Sequence, residues 1–248
     1  DHRDLHSFPT RRSSDLDSTS ETPVPNYIEL ISEEISDEFK VGIPNQYFFD
    51  LIDPKVKDVF EKFVDKLNNC EIITRHIDLD ETDKIRDTWK AIRLGESAAV
   101  HDKWMKTRPN DYGDDVISML TKGLEITATE YINAKKRMGK IRESIITAMK
   151  GFDALMVPTT IIAATLVDQK SVDIDGKDVE VYQALSRQTI AFSTAGLPVL
   201  NVPAGLVEGK LPVGVQLIGR PFDEETLFKI ARKYELHYKI TELFTPFT

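Results

Sequence analysis

Serine and lysine side chains, which can pair as nucleophile and general base in acyl transfer, occur throughout this chain. None of the serines lies in a glycine-rich elbow, the strained turn that exposes a hydroxyl beside backbone amides. Acyl transfer also requires N–H donors that are fixed around the developing oxyanion. Residues 17–248 taken alone therefore predict no catalytic constellation, and we assign no catalytic residue.

Side chains that commonly bind metals or cofactors are sparse. Beyond residue 16 the histidines are His76, His101 and His237, without HExxH spacing or a paired CxxC motif, so we predict no metal site. Residues 173–178 resemble part of a calcium loop, but alignment on the loop glycine places Tyr182 where a bidentate Glu is required. A charged hairpin tip is the favoured interpretation. Neither GxGxxG nor a Walker A sequence is present, so no cofactor is predicted.

Charge and hydropathy exclude several classes of protein. The 248 residues carry a formal net charge of −9, and an acidic chain is poorly suited to bind nucleic-acid backbone through counterion release. For this reason we expect no nucleic-acid partner. No apolar stretch approaches the ~20 residues that span a bilayer, so we also expect no membrane partner. Cys70 is the single cysteine, which excludes an internal disulfide and fits a reducing compartment. We therefore expect a cytoplasmic protein.

The elements that must position any site alternate between strand and helix at first. Residues 39–44 predict a strand, Asp53 and Pro54 predict a helix start, and residues 71–74 predict the next strand. Strand, helix and strand in this order indicate a parallel pair. Residues 83–150 are predicted to be largely helical. Within them one apolar stripe steps by four, three, four and four residues: Ala134, Met138, Ile141, Ile145 and Met149.

The last hundred residues predict strands joined by turns. Residues 154–158 are an apolar run of the buried-strand type, and residues 172–181 alternate around Asp175 and Gly176 as a hairpin. Residues 199–203 and 213–219 are two further strands. A loop is predicted between them, and it contains Gly205, Gly209 and Pro212. A final helix is capped by Asp223. The fold class is therefore α/β with a mixed sheet.

Residues 1–16 (DHRDLHSFPTRRSSDL) are similar to the translation of a common short-read sequencing adapter through all sixteen codons. Segments of this origin are set aside before a fold is considered. We expect residues 1–16 to be non-native and disordered, and we expect the native sequence to extend upstream of Asp17.

Three stretches resemble the amidase signature family. They are residues 152–160 (FDALMVPTT), residues 187–198 (RQTIAFSTAGLP) and residues 211–222 (LPVGVQLIGRPF). The resemblance implies that residues 17–248 are the C-terminal part of a single α/β domain, with a mixed sheet covered by helices. It also implies hydrolysis of a carboxamide through a serine acyl-enzyme, in which a second serine on a cis peptide and a lysine complete the triad. That triad belongs to the N-terminal catalytic portion, which matches nothing in this chain.

The same resemblance implies which residues lie nearest the substrate. These are Thr159 and the segment from Ser186 to Thr189, which includes Arg187. A purely structural interpretation stands beside each of them. Pro158, before Thr159, would simply end a strand, and Arg187 would be a surface residue in an ion pair.

Two members of the family fit these motifs, and each implies different partners. A general amidase acts on a small-molecule amide and could form a homodimer. The A subunit of the glutamyl-tRNA(Gln)/aspartyl-tRNA(Asn) amidotransferase, which releases ammonia from glutamine, would add B and C subunits. That subunit carries an Asp where Ser186 stands here, and the run from His101 to Gly113 resembles general amidases, so we favour a general amidase. A non-catalytic binding subunit on the same scaffold is the alternative from another class.

Overall fold

A computed structural model describes residues 24–32, 35 and 37–238. Residues 1–16, with their expected disorder, and the segment 17–20 lie outside the described residues.

The described residues form eight α-helices and seven β-strands. The helices are α1 (Tyr27–Ser32), α2 (Pro54–Asn69), α3 (Ile85–Thr107), α4 (Asp114–Leu124), α5 (Ala128–Ala148), α6 (Val181–Ser186), α7 (Thr189–Ala195) and α8 (Glu224–His237). The strands are β1 (Phe39–Pro44), β2 (Ile72–Ile77), β3 (Ala154–Pro158), β4 (Ser171–Ile174), β5 (Lys177–Glu180), β6 (Val199–Val207) and β7 (Leu211–Ile218).

Five strands form one sheet in the order β2-β1-β3-β7-β6, and β4 pairs with β5 in a separate hairpin. Strand β1 pairs in parallel with both β2 and β3, whereas β7 pairs antiparallel with β3 and β6. The sheet is therefore mixed, and the α/β prediction is confirmed.

Helix α2 connects the parallel strands β1 and β2, as the sequence predicts. The Asp53 carboxylate accepts a hydrogen bond from the Lys55 N–H at 2.7 Å, and Pro54 occupies the first turn. Both features satisfy the free backbone groups of a helix start. The helix buries one apolar face against the sheet, formed by Val56, Val59, Phe60, Phe63 and Leu67.

Strand β3 lies at the centre of the sheet and is buried along its whole length. Because successive side chains of a strand point to opposite faces, Ala154 and Met156 join the core cluster beneath α2. Leu155 and Val157 join the cluster that α5 and α7 cover on the other face. One short strand therefore contributes to both halves of the core.

Helices α5 and α7 cover the second face of the sheet, α3 packs against both of them, and α4 packs against α3. A capping box starts α5, in which Thr127 and Glu130 exchange hydrogen bonds through side chain and backbone. The apolar stripe predicted for this helix is buried at Ala134, Ile141, Ile145 and Met149, and half-buried at Met138. The long helical region is thus confirmed.

The prediction that Gly205 and Pro212 lie in a loop is wrong, because both belong to strands. The strands meet at a tight turn where Glu208 and Gly209 have φ of 51° and 70°. The register of the pair shifts between Pro203 and Gly205. Pro212 is tolerated because β3 pairs only with the later part of β7, so its missing N–H interrupts no ladder on that side.

Two smaller expectations also change. Val181 begins α6 instead of extending the hairpin, which ends at Glu180. Asp223 does precede α8, but its carboxylate accepts the Thr226 hydroxyl at 2.7 Å instead of a backbone N–H. The hairpin turn at Asp175 and Gly176 is confirmed by left-handed φ values of 51° and 79°.

Two Gly→Ala substitutions should have opposite effects on stability, because Gly123 of α4 packs closely against α3 whereas Gly139 of α5 has open space around it. A Cβ at Gly123 would lie 2.2 Å from the Leu94 carbonyl oxygen and 2.7 Å from the Ala98 Cβ. We expect Gly123→Ala to lower the free energy of unfolding by about 1–3 kcal/mol through overpacking. Gly139, exposed in α5, has no atom within 4 Å of its Cβ position. Gly139→Ala should raise stability by about 0.5–1 kcal/mol.

Urea denaturation of the two variants and the parent chain measures both effects. A Gly123→Ala variant as stable as the parent would contradict the observed contact between the helices. The Gly139→Ala variant controls for the general effect of alanine in a helix.

Tyr234 predicts a loss of stability at alkaline pH. Burial raises the pKa of its phenol to about 12, above the ordinary value of 10.0. Below pH 10 the Tyr234 phenol is protonated in both the folded and the unfolded chain. Between pH 10 and about pH 12 the phenol ionises in the unfolded chain but keeps its proton in the folded chain. The free energy of unfolding should therefore fall as pH rises from 10 towards 12, by about 2 kcal/mol from this group.

Tyr234→Phe isolates that contribution. Among the described residues the buried Tyr234 hydroxyl has no hydrogen-bond partner, so the variant should match the parent near pH 7 and lose less stability above pH 10. Equal pH profiles for the two proteins, measured by chemical denaturation, would show that Tyr234 titrates normally in the fold.

Candidate functional site

Thr159 follows directly after the buried strand β3 and is held by the two strands beyond it. Its N–H donates to the Gly214 carbonyl of β7 at 2.9 Å. Its hydroxyl donates to the Asn201 Oδ1 of β6. The first bond fixes the Thr159 backbone and the second fixes its side chain, at the end of the sheet where Pro158 is the last residue of β3.

The glycine at position 214 is required by this arrangement. A Cβ there would lie 2.6 Å from Asn201 Oδ1 and 2.9 Å from Thr159 Oγ1. The Asn201 and Thr159 side chains use the space that a Cβ would occupy. Asn201 is exposed and Thr159 half-buried, so the pair faces the surface.

Arg187 is tied to the turn that follows β1. Its Nε and Nη2 donate to the Tyr47 carbonyl oxygen at 3.2 and 2.7 Å, and its guanidinium carbon lies 4.0 Å from the centre of the Tyr47 ring. The Tyr47 hydroxyl donates in return to the Arg187 carbonyl at 3.0 Å. Burial lowers the pKa of Arg187 and raises that of Tyr47. Arg187 is thus partly buried and binds a backbone carbonyl, so the interpretation of it as a surface residue in an ion pair is wrong.

Gln188, the next residue, continues these contacts into the core. Gln188 is fully buried, and its amide donates to the Phe48 carbonyl at 2.7 Å. Phe48 in turn stacks on Phe192 of α7, with ring centres 5.3 Å apart and planes 7° apart. We call these contacts, from Tyr47 and Phe48 to Arg187, Gln188 and Phe192, the 47–187 interlock.

Ser186 and Thr189 lie on either side of the interlock. The Ser186 hydroxyl donates to the Tyr182 carbonyl at 2.7 Å, and the Thr189 hydroxyl donates to the Ser186 carbonyl at 3.1 Å. Ser186 and Arg187 line one small cleft, and Thr189 adjoins them. The structure therefore brings three of the four candidate residues together, while Thr159 lies at the end of β3 in a separate group.

A larger cleft of about 490 Å³ lies beside these residues, between α3, α5 and α7. Trp89 of α3 lines both clefts. Sequence reasoning missed this wall, because α3 carries no recognisable motif and its apolar stripe is weak. It also missed Tyr47 and Asn201, whose partners are distant in sequence.

The described residues also bear on two requirements, those of a metal site and those of a membrane span. Within the described ranges, no group of three or more His, Cys, Asp or Glu side chains could coordinate a metal ion. None of the described helices has both the length and the apolar character that crossing a bilayer needs.

The chain thus combines three features: a mixed α/β sheet, a threonine fixed after a buried strand, and an Arg-x-Thr segment bonded to the turn after β1. The model of the Amidase family matches residues 8–228, so the chain belongs to the amidase family.

Curated relatives include both kinds of enzyme considered above. The chain is 29% identical over 214 residues to an amidase from Pseudomonas putida, a match that covers 86% of the chain and 46% of that protein. It is 26% identical over 244 residues to the A subunit of the glutamyl-tRNA(Gln) amidotransferase from a Sulfurihydrogenibium species, covering 88% of the chain and 49% of that protein. The chain thus spans about half the length of the curated relatives it matches.

Solved structures share the fold. A bacterial aryl acylamidase of the amidase signature family superimposes with a TM-score of 0.77 at 15% identity, over 92% of the chain and 50% of that protein. A crystal structure of an amidase gives a TM-score of 0.77 at 23% identity, over 82% of the chain and 46% of that protein. At these identities the likeness concerns the fold alone.

The 47–187 interlock predicts that replacing either of two side chains lowers the free energy of unfolding by a measurable amount. We expect Arg187→Gln to lower the free energy of unfolding by about 2 kcal/mol, because a charged donor to a partly buried carbonyl is lost. Tyr47→Phe should cost about 1 kcal/mol, because it removes only the hydroxyl bond. Chemical denaturation of each variant and of the double variant gives their coupling energy.

Arg232→Gln is the matched control, since the Arg232 side chain is 39% exposed and forms an ion pair of 3.5 Å with the more exposed Glu235. That variant should stay within about 0.5 kcal/mol of the parent. Additive effects of Arg187→Gln and Tyr47→Phe would mean that the two side chains do not act as one unit.

Proposed function

We propose that this chain is the C-terminal part of one amidase domain. The complete protein would convert a carboxamide to a carboxylate and ammonia or an amine. The observation that carries this proposal is the family match over residues 8–228. The half-length coverage of relatives agrees with it, and so does the lack of a predicted catalytic group.

The chemistry would be divided between the two halves of the protein. A serine nucleophile, a second serine and a lysine would come from the upstream half, where desolvation keeps the lysine neutral and able to accept a proton. This chain would supply part of the substrate wall. We assign Thr159, Ser186 and Thr189 to that wall. Arg187 is a positioning residue, because both of its donated hydrogen bonds go to the Tyr47 carbonyl.

A general amidase is our preferred member of the family. Ser186 supports it, since a neutral hydroxyl there, bonded to the Tyr182 carbonyl, offers no carboxylate to a substrate ammonium group. The name shared by several relatives makes the A subunit of the amidotransferase the second candidate. Copurification of B and C subunits from native cells would favour that candidate, whereas a homodimer without them would favour a general amidase. A non-catalytic subunit would require an upstream half that has lost its serines or lysine.

We also propose a cytoplasmic location. It is supported by the single cysteine, Cys70, which is buried and whose pKa burial raises. Such a thiol is kept inert and suits a reducing compartment.

The proposal predicts that activity requires the upstream coding sequence. Expressed with that sequence, the protein should release ammonia from acetamide or benzamide. The 248-residue chain alone should be slower by ~10⁴-fold or more, because the nucleophile and its base are absent. Coupled ammonia detection measures both rates.

The upstream sequence itself provides the control. It should contain a lysine followed by a Gly/Ser-rich stretch, and replacement of that lysine by alanine should reduce the complete protein to the level of the chain alone. Turnover by the 248-residue chain, or an upstream half without such a lysine, would overturn the proposal.

A further inference from the structure

The larger cleft carries an unusual set of side chains. Its wall on α3 is formed by Trp89, Ile92, Arg93, Glu96 and Ser97, and its other walls by Lys135, Met138, Ser193 and Thr194. Aromatic, cationic and hydroxyl groups therefore face one space of about 490 Å³. That size suits a small ligand.

Arg93 is the central cation of this wall. Its guanidinium carbon lies 5.0 Å from the centre of the Trp89 ring and 5.9 Å from that of Tyr182, and its Nη2 contacts the Met119 sulfur at 3.0 Å. Within the described part of the chain, it forms no ion pair with a carboxylate. Aromatic faces and a thioether orient the guanidinium without neutralising it.

The remaining charges near the cleft do not cancel Arg93. The Glu96 carboxylate accepts the Tyr131 hydroxyl at 2.7 Å and lies 3.8 Å from the Lys135 ammonium, so it is already engaged. Arg86 lines the adjoining smaller cleft together with Arg187. Asp50 is the acidic group that acts on Arg187. Among the described charged side chains that line the two clefts, four are therefore cations and one, Glu96, is a carboxylate.

A second, independent observation points to a ligand. Thr194 lines the larger cleft and is only 8% exposed, yet its hydroxyl has no hydrogen-bond partner within the described residues. A buried hydroxyl without a partner is costly, and a ligand oxygen in the cleft would satisfy it.

We infer that this cleft binds a planar carboxylate, held by the Arg93 guanidinium beside Trp89. An arginine fork matches a carboxylate geometrically, and the Trp89 ring lines the same cleft, where it can contact the ring of an aromatic carboxylate. The inference rests on the proposed function in one respect, that the carboxylate is part of the amide substrate. The substrate class is therefore an amide whose acyl or amine part carries a carboxylate.

Fluorescence titration of the 248-residue chain tests this inference. Trp89 and Trp104 are its two tryptophans, so a Trp104→Phe background reports Trp89 alone. The probes are benzoate and its neutral counterpart benzamide. Benzoate should quench Trp89 saturably, with an affinity about tenfold higher than that of benzamide, and 0.5 M salt should reduce only the benzoate affinity.

Arg93→Gln should remove the preference for benzoate, whereas Arg93→Lys, which keeps the charge, should retain part of it. Arg108→Gln is the matched control, because Arg108 lies 5.6 Å from the Trp104 ring, just past the end of the same helix and outside the cleft. Equal affinities for the two probes, no saturable quenching, or an unchanged preference in Arg93→Gln would each overturn the inference. Loss of benzoate binding in the complete protein would also overturn it, because the upstream half would then fill the cleft.

The outcome is separable from that of the proposed function. Benzoate binding without amide hydrolysis by the complete protein would retain the anion site and reject the enzyme. Hydrolysis without benzoate preference would do the reverse.

Discussion

Two short segments 140 residues apart in sequence meet in the 47–187 interlock. The backbone carbonyls of Tyr47 and Phe48 accept three hydrogen bonds from the Arg187 and Gln188 side chains, and the Tyr47 hydroxyl returns one. Tyr47 adopts a left-handed φ of 69°, which costs a non-glycine residue energy unless its surroundings hold it. The position of α6 and α7 over α3, and so the shape of both clefts, depends on this contact.

Much of the framework around the interlock follows from local sequence patterns. Asp53 and Pro54 specify where α2 starts, and the apolar run of β3 specifies a strand buried on both faces. The parallel pair could be predicted because a strand–helix–strand unit admits one common arrangement. Local patterns wrongly place Gly205 and Pro212 in a loop, because a register shift and an unpaired strand side tolerate residues that usually end strands.

The candidate site was predictable only in part, and for physical reasons. Family motifs point to Thr159 and residues 186–189, but the environments of these residues depend on partners from distant segments. The motif does not reveal that Arg187 binds a carbonyl instead of a carboxylate, nor that Gly214 makes room for Asn201 and Thr159. The proposed function accounts for this distribution, because it assigns these residues to the substrate wall and the reactive groups to the upstream half.

Hydrogen exchange tests most directly whether the interlock organises this wall. Amide protection should be compared between the parent chain and the Gln188→Ala variant, with α2 as an internal reference. We expect residues 45–50 and 186–195 to lose protection together, while protection around Phe60 is unchanged. Faster exchange confined to residues 186–195 would contradict it, because the turn after β1 would then hold its shape independently.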